Sequence, residues 1–465
     1  MDQASLASLH KAHCQDLQRR TEEILLAQGL DALVLHSGTP QLRTRFDDIY
    51  WPLRPSPWFL HWLPLAEAGC QLIIRPGQKP RLLRPQQFDF WETPPEPELS
   101  HFWSSFEVRE GTRAALLAEA KALCAGRAAF IGDDLAAAEA LGLSASANEP
   151  GLMRALDQLR VKKHTYEELC LAEANRRAAV GHDELRALFA SGDLPELELH
   201  LAFLRSTKQD DTETPYKNIV ALGAHAATLH HVAYAKRAQP ALSLLVDAGA
   251  SFAGYAADIT RTWVKGQGAG ASAFAELIAQ VEGFQQRLCA EALPGREYES
   301  LHDRAHELVA GALRAVGIAR LSAAELVESQ LTRAFFPHGL GHSLGLVCHD
   351  VGCALKAPRP ENAWLRNTST IAERQTFTIE PGIYFIPELL APFRQGPHAN
   401  GVDWALCDEL SKFGGIRIED DVVVGPHGVR NLTRELLPRG GGSPALSQPP
   451  APFNPRATPA PSLTR

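Results

Sequence analysis

Two aspartates close to one another in the chain are the first residues that could do chemistry. Leu242-Ser-Leu-Leu-Val-Asp247 is a strand-like apolar run ending in an acid, and Asp258-Ile-Thr-Arg-Thr-Trp-Val264 alternates as a second strand opening on one. Gly249 and Gly254 punctuate a turn between them, so the spacing predicts a hairpin that brings Asp247 and Asp258 together. Two carboxylates a few ångströms apart repel unless one is protonated or a cation lies between them. Taken singly, either acid reads more readily as a turn cap or a partner of Arg261. Pro337-His-Gly-Leu-Gly-His-Ser-Leu-Gly345 and His349-Asp350 then place His338, His342 and His349 among glycines. Imidazole titrates near neutrality and is the commonest neutral metal ligand, and glycine lets the backbone approach a ligand closely.

Two further acids stand in strand patterns. Phe377-Thr-Ile-Glu-Pro-Gly-Ile-Tyr384 puts Glu380 at the end of a β-branched, aromatic run, and Gly415-Ile-Arg-Ile-Glu-Asp-Asp-Val-Val-Val424 puts Glu419 inside another. A glutamate in a buried strand is unfavourable unless paired or bound to metal. Asp247, Asp258, Glu380, Glu419 and a histidine make an oxygen-rich set, enough for two divalent ions with two carboxylates as bridges. Hard ligands of this kind suit manganese better than thiolate-loving metals.

Other motifs compete less well. Gly341-His-Ser-Leu-Gly345 fits the G-x-S-x-G elbow of serine hydrolases, but Phe336-Pro337 precedes it and no helix pattern follows, whereas that motif needs a strand before and a helix after. Gly266-Gln-Gly268-Ala-Gly270-Ala271 loosely mimics a dinucleotide loop. With no matching acid in a following strand, it reads as a hairpin exit with Ser272 as the helix N-cap.

These residues need a scaffold. A helix is expected over Leu6–Gln28, strands over 31–36 and 71–74, and an irregular loop over Thr39–Pro57. Alternating helices and strands make residues 1–160 a small α/β domain, in which no chemically paired cluster is visible. Glu149-Pro150-Gly151 is turn punctuation, Thr165 and Glu168 fit a capping box, and the domain changes near residue 160. Residues 161–439 form the second domain. Residues 440–465, rich in proline and without an acid, read as a disordered tail.

Composition narrows the function. With 46 basic and 54 acidic residues and a net charge of −8, the chain lacks the footprint of a nucleic-acid or anionic-membrane binder. Its start has no signal-peptide pattern, and no stretch nears the roughly 20 apolar residues of a membrane helix. The eight dispersed cysteines contain no C-x-x-C pair, which points to a reducing cytoplasm and leaves a cysteine-based zinc site unsupported.

Together the motifs resemble the bacterial Xaa-Pro dipeptidases, or prolidases, of the pita-bread metallopeptidase family, and their relatives the organophosphorus acid anhydrolases. The carrying residues are Asn218–Leu222, Leu229-His230, Val246-Asp-Ala-Gly249, Gly254–Thr262, His338–His342, His349–Gly352, Thr378–Tyr384 and Gly414–Asp420, with Ser5–Leu9 and Leu30–Leu33 in the N-terminal half. The resemblance covers about residues 5–437 and implies an α/β N-terminal domain plus an α+β pita-bread catalytic domain of the creatinase/aminopeptidase type. It implies that Asp247, Asp258, His342, Glu380 and Glu419 hold two divalent ions, with Asp258 and Glu419 as bridges. His230, His338 and His349 match the outer histidines that hold substrate and intermediate, Arg366 the arginine that meets the substrate carboxylate, and Arg417 a supporting arginine. His231 departs from the pattern, where the family has a tyrosine. The implied reaction is hydrolysis of Xaa-Pro dipeptides by a metal-bridging hydroxide, with His349 or His230 stabilising the oxyanion and Glu380 carrying the proton. A phosphotriester would be a side substrate. Some pita-bread proteins lost their metal and only bind, and retention of all five ligands argues against that here. Relatives are homodimers, and the loop Phe46–Trp51 is placed to reach a partner's pocket.

Overall fold

The computed structural model describes residues 3–86, 100–352 and 356–442. The expected tail beyond residue 442 lies outside the described residues.

The N-terminal sheet contains β1 Ala32–His36, β2 Gln71–Ile74, β3 Arg81–Pro85, β4 Glu107–Gly111 and β5 Ala128–Ile131, in the spatial order β4-β3-β2-β1-β5. β1 is parallel to β5 and β3 to β4, and the other pairs are antiparallel. Side chains alternate across a strand. Leu33 and Leu35 therefore join a cluster with Leu17, Leu25, Leu152 and Leu156, while Ala32 and Val34 join another with Leu116, Ala120 and Ala138. Helices Gln3–Gln28 and Pro150–Val161 cover one face, and Arg113–Leu123 and Leu135–Leu141 the other. Burial on both faces explains why β1 is an unbroken apolar run.

The second half contains β6 Ile219–Leu222, β7 Ser243–Asp247, β8 Ser251–Phe252, β9 Tyr255–Ala256, β10 Thr260–Val264, β11 Thr376–Ile379, β12 Gly382–Tyr384, β13 Gly415–Arg417, β14 Asp420–Gly425, β15 Gly428–Asn431 and β16 Gly441–Gly442. They form sheets β16-β10-β7-β6 and β11-β14-β15 and the pairs β12-β13 and β8-β9. Helix Thr165–Ser191 packs with Val220, Val246 and Val423 in one core, and helices Ala269–Glu291 and Tyr298–Ala315 pack with Phe377, Val422 and Ile416 in another. The strands lie between these helical layers, and a Thr260–Glu419 bridge joins the first sheet to the β11–β14 region.

Several expectations need correction. The expected hairpin forms, since β7 and β10 pair antiparallel, but its connection is longer than a turn and carries the short β8-β9 pair. β10 begins at Thr260 and is buried along its whole length, so its alternation is not one of core against solvent. Glu419 is not inside a strand. The chain changes partners there, from β12 to β11. The capping box lies one residue earlier, between His164 and Glu167, since Glu167 accepts the His164 N–H at 2.6 Å. Gly268, at φ +109°, begins helix Ala269–Glu291, and the Ser272 N–H already donates to Gly268 O at 3.0 Å. Gly440–Gly442 are not tail. Gly441 lies so close to β10 that a Cβ there would stand 2.1 Å from Thr262 O, so the glycine run serves close approach rather than flexibility.

Candidate active site

Four strand ends deliver the acids. Asp247 ends β7 opposite Thr260, and Asp258 sits just before β10. Ile379 pairs with Asp420 and Gly382 with Arg417, so both strands of that ladder break at one level. Glu380 and Glu419 occupy the two breaks. Asp258, His342 and Glu419 then present ligand atoms within 4.8 Å of one another.

His342 reaches this point because its segment lies flush on β11. A Cβ on Gly341 would stand 2.2 Å from Thr378 O, so glycine is needed there. The His342 N–H donates to Thr378 Oγ1 at 3.2 Å, and Nδ1 faces the Ser343 carbonyl at 3.1 Å. A carbonyl only accepts, so Nδ1 carries hydrogen and Nε2 is the free ligand atom. Nε2 stands 3.3 Å from Asp258 Oδ2 and 3.6 Å from Glu380 Oε1.

Neighbouring side chains fix the carboxylates. Arg417 donates to Asp247 Oδ2 at 2.6 Å, to the Tyr384 hydroxyl at 2.8 Å and to Thr260 Oγ1 at 3.1 Å. Tyr216 donates to Asp247 Oδ1 at 2.8 Å, and Thr260 to Glu419 Oε2 at 2.6 Å. The Cys348 thiol donates to Asp258 Oδ2 at 2.9 Å, and Asp421 receives the Asp258 N–H at 3.0 Å. Arg261 is not a partner of Asp247 or Asp258. It donates to Asp420 at 2.9 Å and to Glu419 O at 2.8 Å. Tyr216, Tyr384, Thr260 and Cys348 were not legible as site residues, for each is an ordinary core residue by type.

The outer residues gather on one side. His338 Nε2 lies 2.9 Å from the Tyr384 hydroxyl, and its Nδ1 is 3.7 Å from Glu380 Oε2. His349 stands edge-on to His342, with ring centroids 4.4 Å apart. Burial, with Arg417 for His338 and His342 for His349, lowers their pKa values to about 3 and about 4. His230 is exposed and adds to both depressions, and exposed Arg366 adds to that of His349. Asp350 turns away from the site into a buried ion pair with Arg160 and Lys163, which anchors the His349 segment to the inter-domain connector.

The electrostatics test whether a cation fits. Burial, then the charges of Asp258, Glu380 and Asp247, push the Glu419 carboxyl well above the usual range. Burial raises Glu380 to about 7 and raises Asp247 despite Arg417. Burial opposes charge on Asp258 and His342 as well, but their mutual attraction holds Asp258 low and raises His342 to about 9. Four buried carboxylates face one imidazole and one guanidinium, so the cluster retains protons that divalent cations would replace. The donor set fits such ions.

The family model for metallopeptidase family M24 matches residues 170–426, and that for the Xaa-Pro dipeptidase N-terminal domain matches residues 8–159. The chain belongs to metallopeptidase family M24. A Xaa-Pro dipeptidase of Pseudoalteromonas atlantica is 38% identical over 442 residues, spanning 93% of this chain and 99% of that protein. One of Marinobacter nauticus is 40% identical over 439 residues, spanning 94% and 100%. Among solved structures, proline aminopeptidase P II from Yersinia pestis has a TM-score of 0.70 at 21% identity, covering 90% of this chain and 96% of its own. Zinc-substituted E. coli aminopeptidase P in complex with product has a TM-score of 0.69 at 21% identity, covering 93% and 96%. The M24 chain is thus a metallopeptidase with the pita-bread fold, as the sequence resemblance implied, and family membership implies divalent metal ions. Among the described residues, no helix is long and apolar enough to cross a membrane.

Proposed function

We propose that this M24 enzyme hydrolyses dipeptides with a C-terminal proline, using two divalent ions, manganese by preference, held by Asp247, Asp258, His342, Glu380 and Glu419. The observation that carries the reading is the cluster of buried acids around His342 Nε2, in which the Glu380 and Glu419 carboxyls are pushed up for want of positive charge. Asp258 and Glu419 would be the shared ligands, as the family resemblance implies; both are buried and Asp258 stands among the groups that raise the Glu419 carboxyl. When bound, the ions supply Lewis-acid polarisation of the peptide carbonyl and lower the pKa of water.

The chain's own residues do the rest. Neutral His338 and His349, with His230, line the approach, where His349 or His230 donates to developing negative charge on the carbonyl oxygen. Arg366 meets the proline carboxylate. Arg417 holds Asp247 and, through Tyr384, His338. Glu380, whose carboxyl lies near 7, carries the proton to the proline nitrogen. A phosphotriester, with an equally electrophilic centre, is a side substrate in this reading.

We place the domain change at residue 160, supported by helix Pro150–Val161 packing in the N-terminal core and helix Thr165–Ser191 in the other. A homodimer is supported by the loop that exposes Phe46 by 82%, Tyr50 by 52% and Trp51 by 56%, an apolar patch suited to a second copy. The described cysteines are free thiols, in keeping with a cytoplasmic location. The deciding experiment measures rates on Xaa-Pro dipeptides, Xaa-Pro tripeptides and a phosphotriester in metal-stripped and manganese-restored protein. Dipeptide hydrolysis that disappears with metal and returns with manganese is expected. Full activity at excess chelator would overturn the reading.

A further inference from the structure

Glu196 opens helix Glu196–Thr207, and its side chain is wholly buried. Its Oε1 accepts from Leu222 N at 2.9 Å and from His225 Nδ1 at 2.7 Å. Its Oε2 accepts from Ala235 N at 2.7 Å and from His231 Nε2 at 2.8 Å. The two backbone bonds lock the carboxylate so that it cannot turn away, and each oxygen offers its other face to an imidazole. The two rings stack with centroids 4.5 Å apart and planes at 27°. His225 is 52% exposed and gives a way in from solvent, while His231 is 11% exposed.

We propose that Glu196, His225 and His231 form a second divalent-cation site, separate from the carboxylate centre and suited to zinc. The three ligand atoms lie within 4.8 Å of one another. Two imidazoles and a carboxylate, with water completing the shell, are a zinc donor set. On binding, His225 Nδ1 and His231 Nε2 turn their lone pairs to the ion and each ring carries hydrogen only on its other nitrogen, so the ion takes the place of the two ring contacts with Glu196. A phenol at position 231 could donate to Glu196 but offers no nitrogen to an ion. Segment 222–235, clamped by the same carboxylate, also carries His230, so an ion here pins the wall of the substrate approach.

The test uses zinc alone as the probe, on the full chain carrying Asp258→Ala and Glu419→Ala to disable the carboxylate centre. One zinc equivalent by calorimetric titration is expected. Adding His225→Ala or His231→Tyr should weaken binding by more than about 100-fold, beyond the 10–100-fold loss caused by disturbing an outer-shell partner. Wild type kept in excess manganese should take up one zinc without releasing manganese, which repeats the test should the double variant not fold. No zinc uptake by either protein, or uptake unchanged by both histidine substitutions, overturns the proposal. Failure of wild type to bind manganese would sink the proposed function and leave the zinc result standing.

Discussion

The carboxylate centre and a second buried cluster, around Glu167, solve opposite problems. In the carboxylate centre four acids share one histidine and one arginine, and charges of one sign accumulate. Under the N-terminal domain Glu167 is surrounded instead by bases and hydroxyls. His61 Nε2 stands 3.4 Å and His13 Nδ1 3.9 Å away, and the Tyr255 hydroxyl donates at 3.0 Å. Burial opposes the Glu167 charge, but His61 and His13 outweigh it and hold the carboxyl well below the usual range. Both places hold groups spaced for a metal ion. Ligand spacing therefore does not separate a metal centre from a structural junction. The surplus of acids does: the first cluster sets four carboxylates against one imidazole and one guanidinium, whereas the second sets one carboxylate against two imidazoles, the Tyr255 hydroxyl and the His164 N–H.

The largest expected effect breaks the first cluster alone. Asp258→Ala or Glu419→Ala should remove both ions and abolish hydrolysis, because a shared ligand serves each. The check is metal content after dialysis, and two retained equivalents would contradict the assignment. The same substitutions should leave the Glu167 junction intact, read as an unchanged near-ultraviolet spectrum.

The two clusters also differ in how far the sequence announced them. Asp247, Asp258, Glu380 and Glu419 stood out because each interrupts an apolar run. The register that joins them was less legible, since β8-β9 and the partner exchange at Glu419 depend on long-range pairing. His10 and His101 belong to the same junction, with rings packed 5.2 Å apart and His101 Nε2 3.0 Å from the Tyr166 hydroxyl. They went unseen along with His13, His61 and Glu167, because the segments bearing them are remote in sequence and a lone histidine on a helix face is indistinguishable from a packed one. Glu196 was hidden for the same reason. The N-terminal sheet was legible only in part, as β1 and β2 are apolar runs, whereas β4 is mostly exposed.

In the proposed reading Arg366 adds positive charge where the substrate ends, which sharpens the comparison. A charge-assisted bond contributes about 1.5–3 kcal/mol, or about 10–150-fold in kcat/KM at about 1.4 kcal/mol per decade. Arg366→Ala should lose that much, and lysine should rescue poorly for want of the planar fork. Wild type should discriminate strongly against an amidated dipeptide and the variant little. Equal discrimination would assign the carboxylate to another group.

The histidine junction predicts a pH effect on stability. Burial lowers His101 from 6.5 to about 4, and likewise His13, where the charge of Glu167 only partly opposes it. Between these values the unfolded chain binds protons that the folded chain does not. Stability from these groups is thus present above pH 6.5 and lost as pH falls toward 4. Each such proton gives a slope of about 1.4 kcal/mol per pH unit. In His101→Phe the urea midpoint of metal-loaded protein should fall less steeply across that window. An unchanged slope would show that His101 stays accessible to protons in the fold.

The smallest effect is expected at Ser343, and its smallness is informative. It sits between His342 and His349 in sequence and in a motif that mimics a nucleophile elbow. The bonds that shape the site come from its backbone. Ser343 O meets His342 Nδ1 at 3.1 Å and accepts the Asp350 N–H at 2.9 Å, so it sets the tautomer of one residue and the turn that carries the other. An isolated bridge to Phe377 fixes that backbone against β11, and among the described residues no helix follows directly to make an elbow. Alanine keeps every one of these bonds. Ser343→Ala should therefore change kcat by no more than a few-fold, with both ions retained. A loss of several orders of magnitude with metals still bound would mean that the hydroxyl attacks substrate, and that the acids around His342 support a serine nucleophile rather than a metal centre.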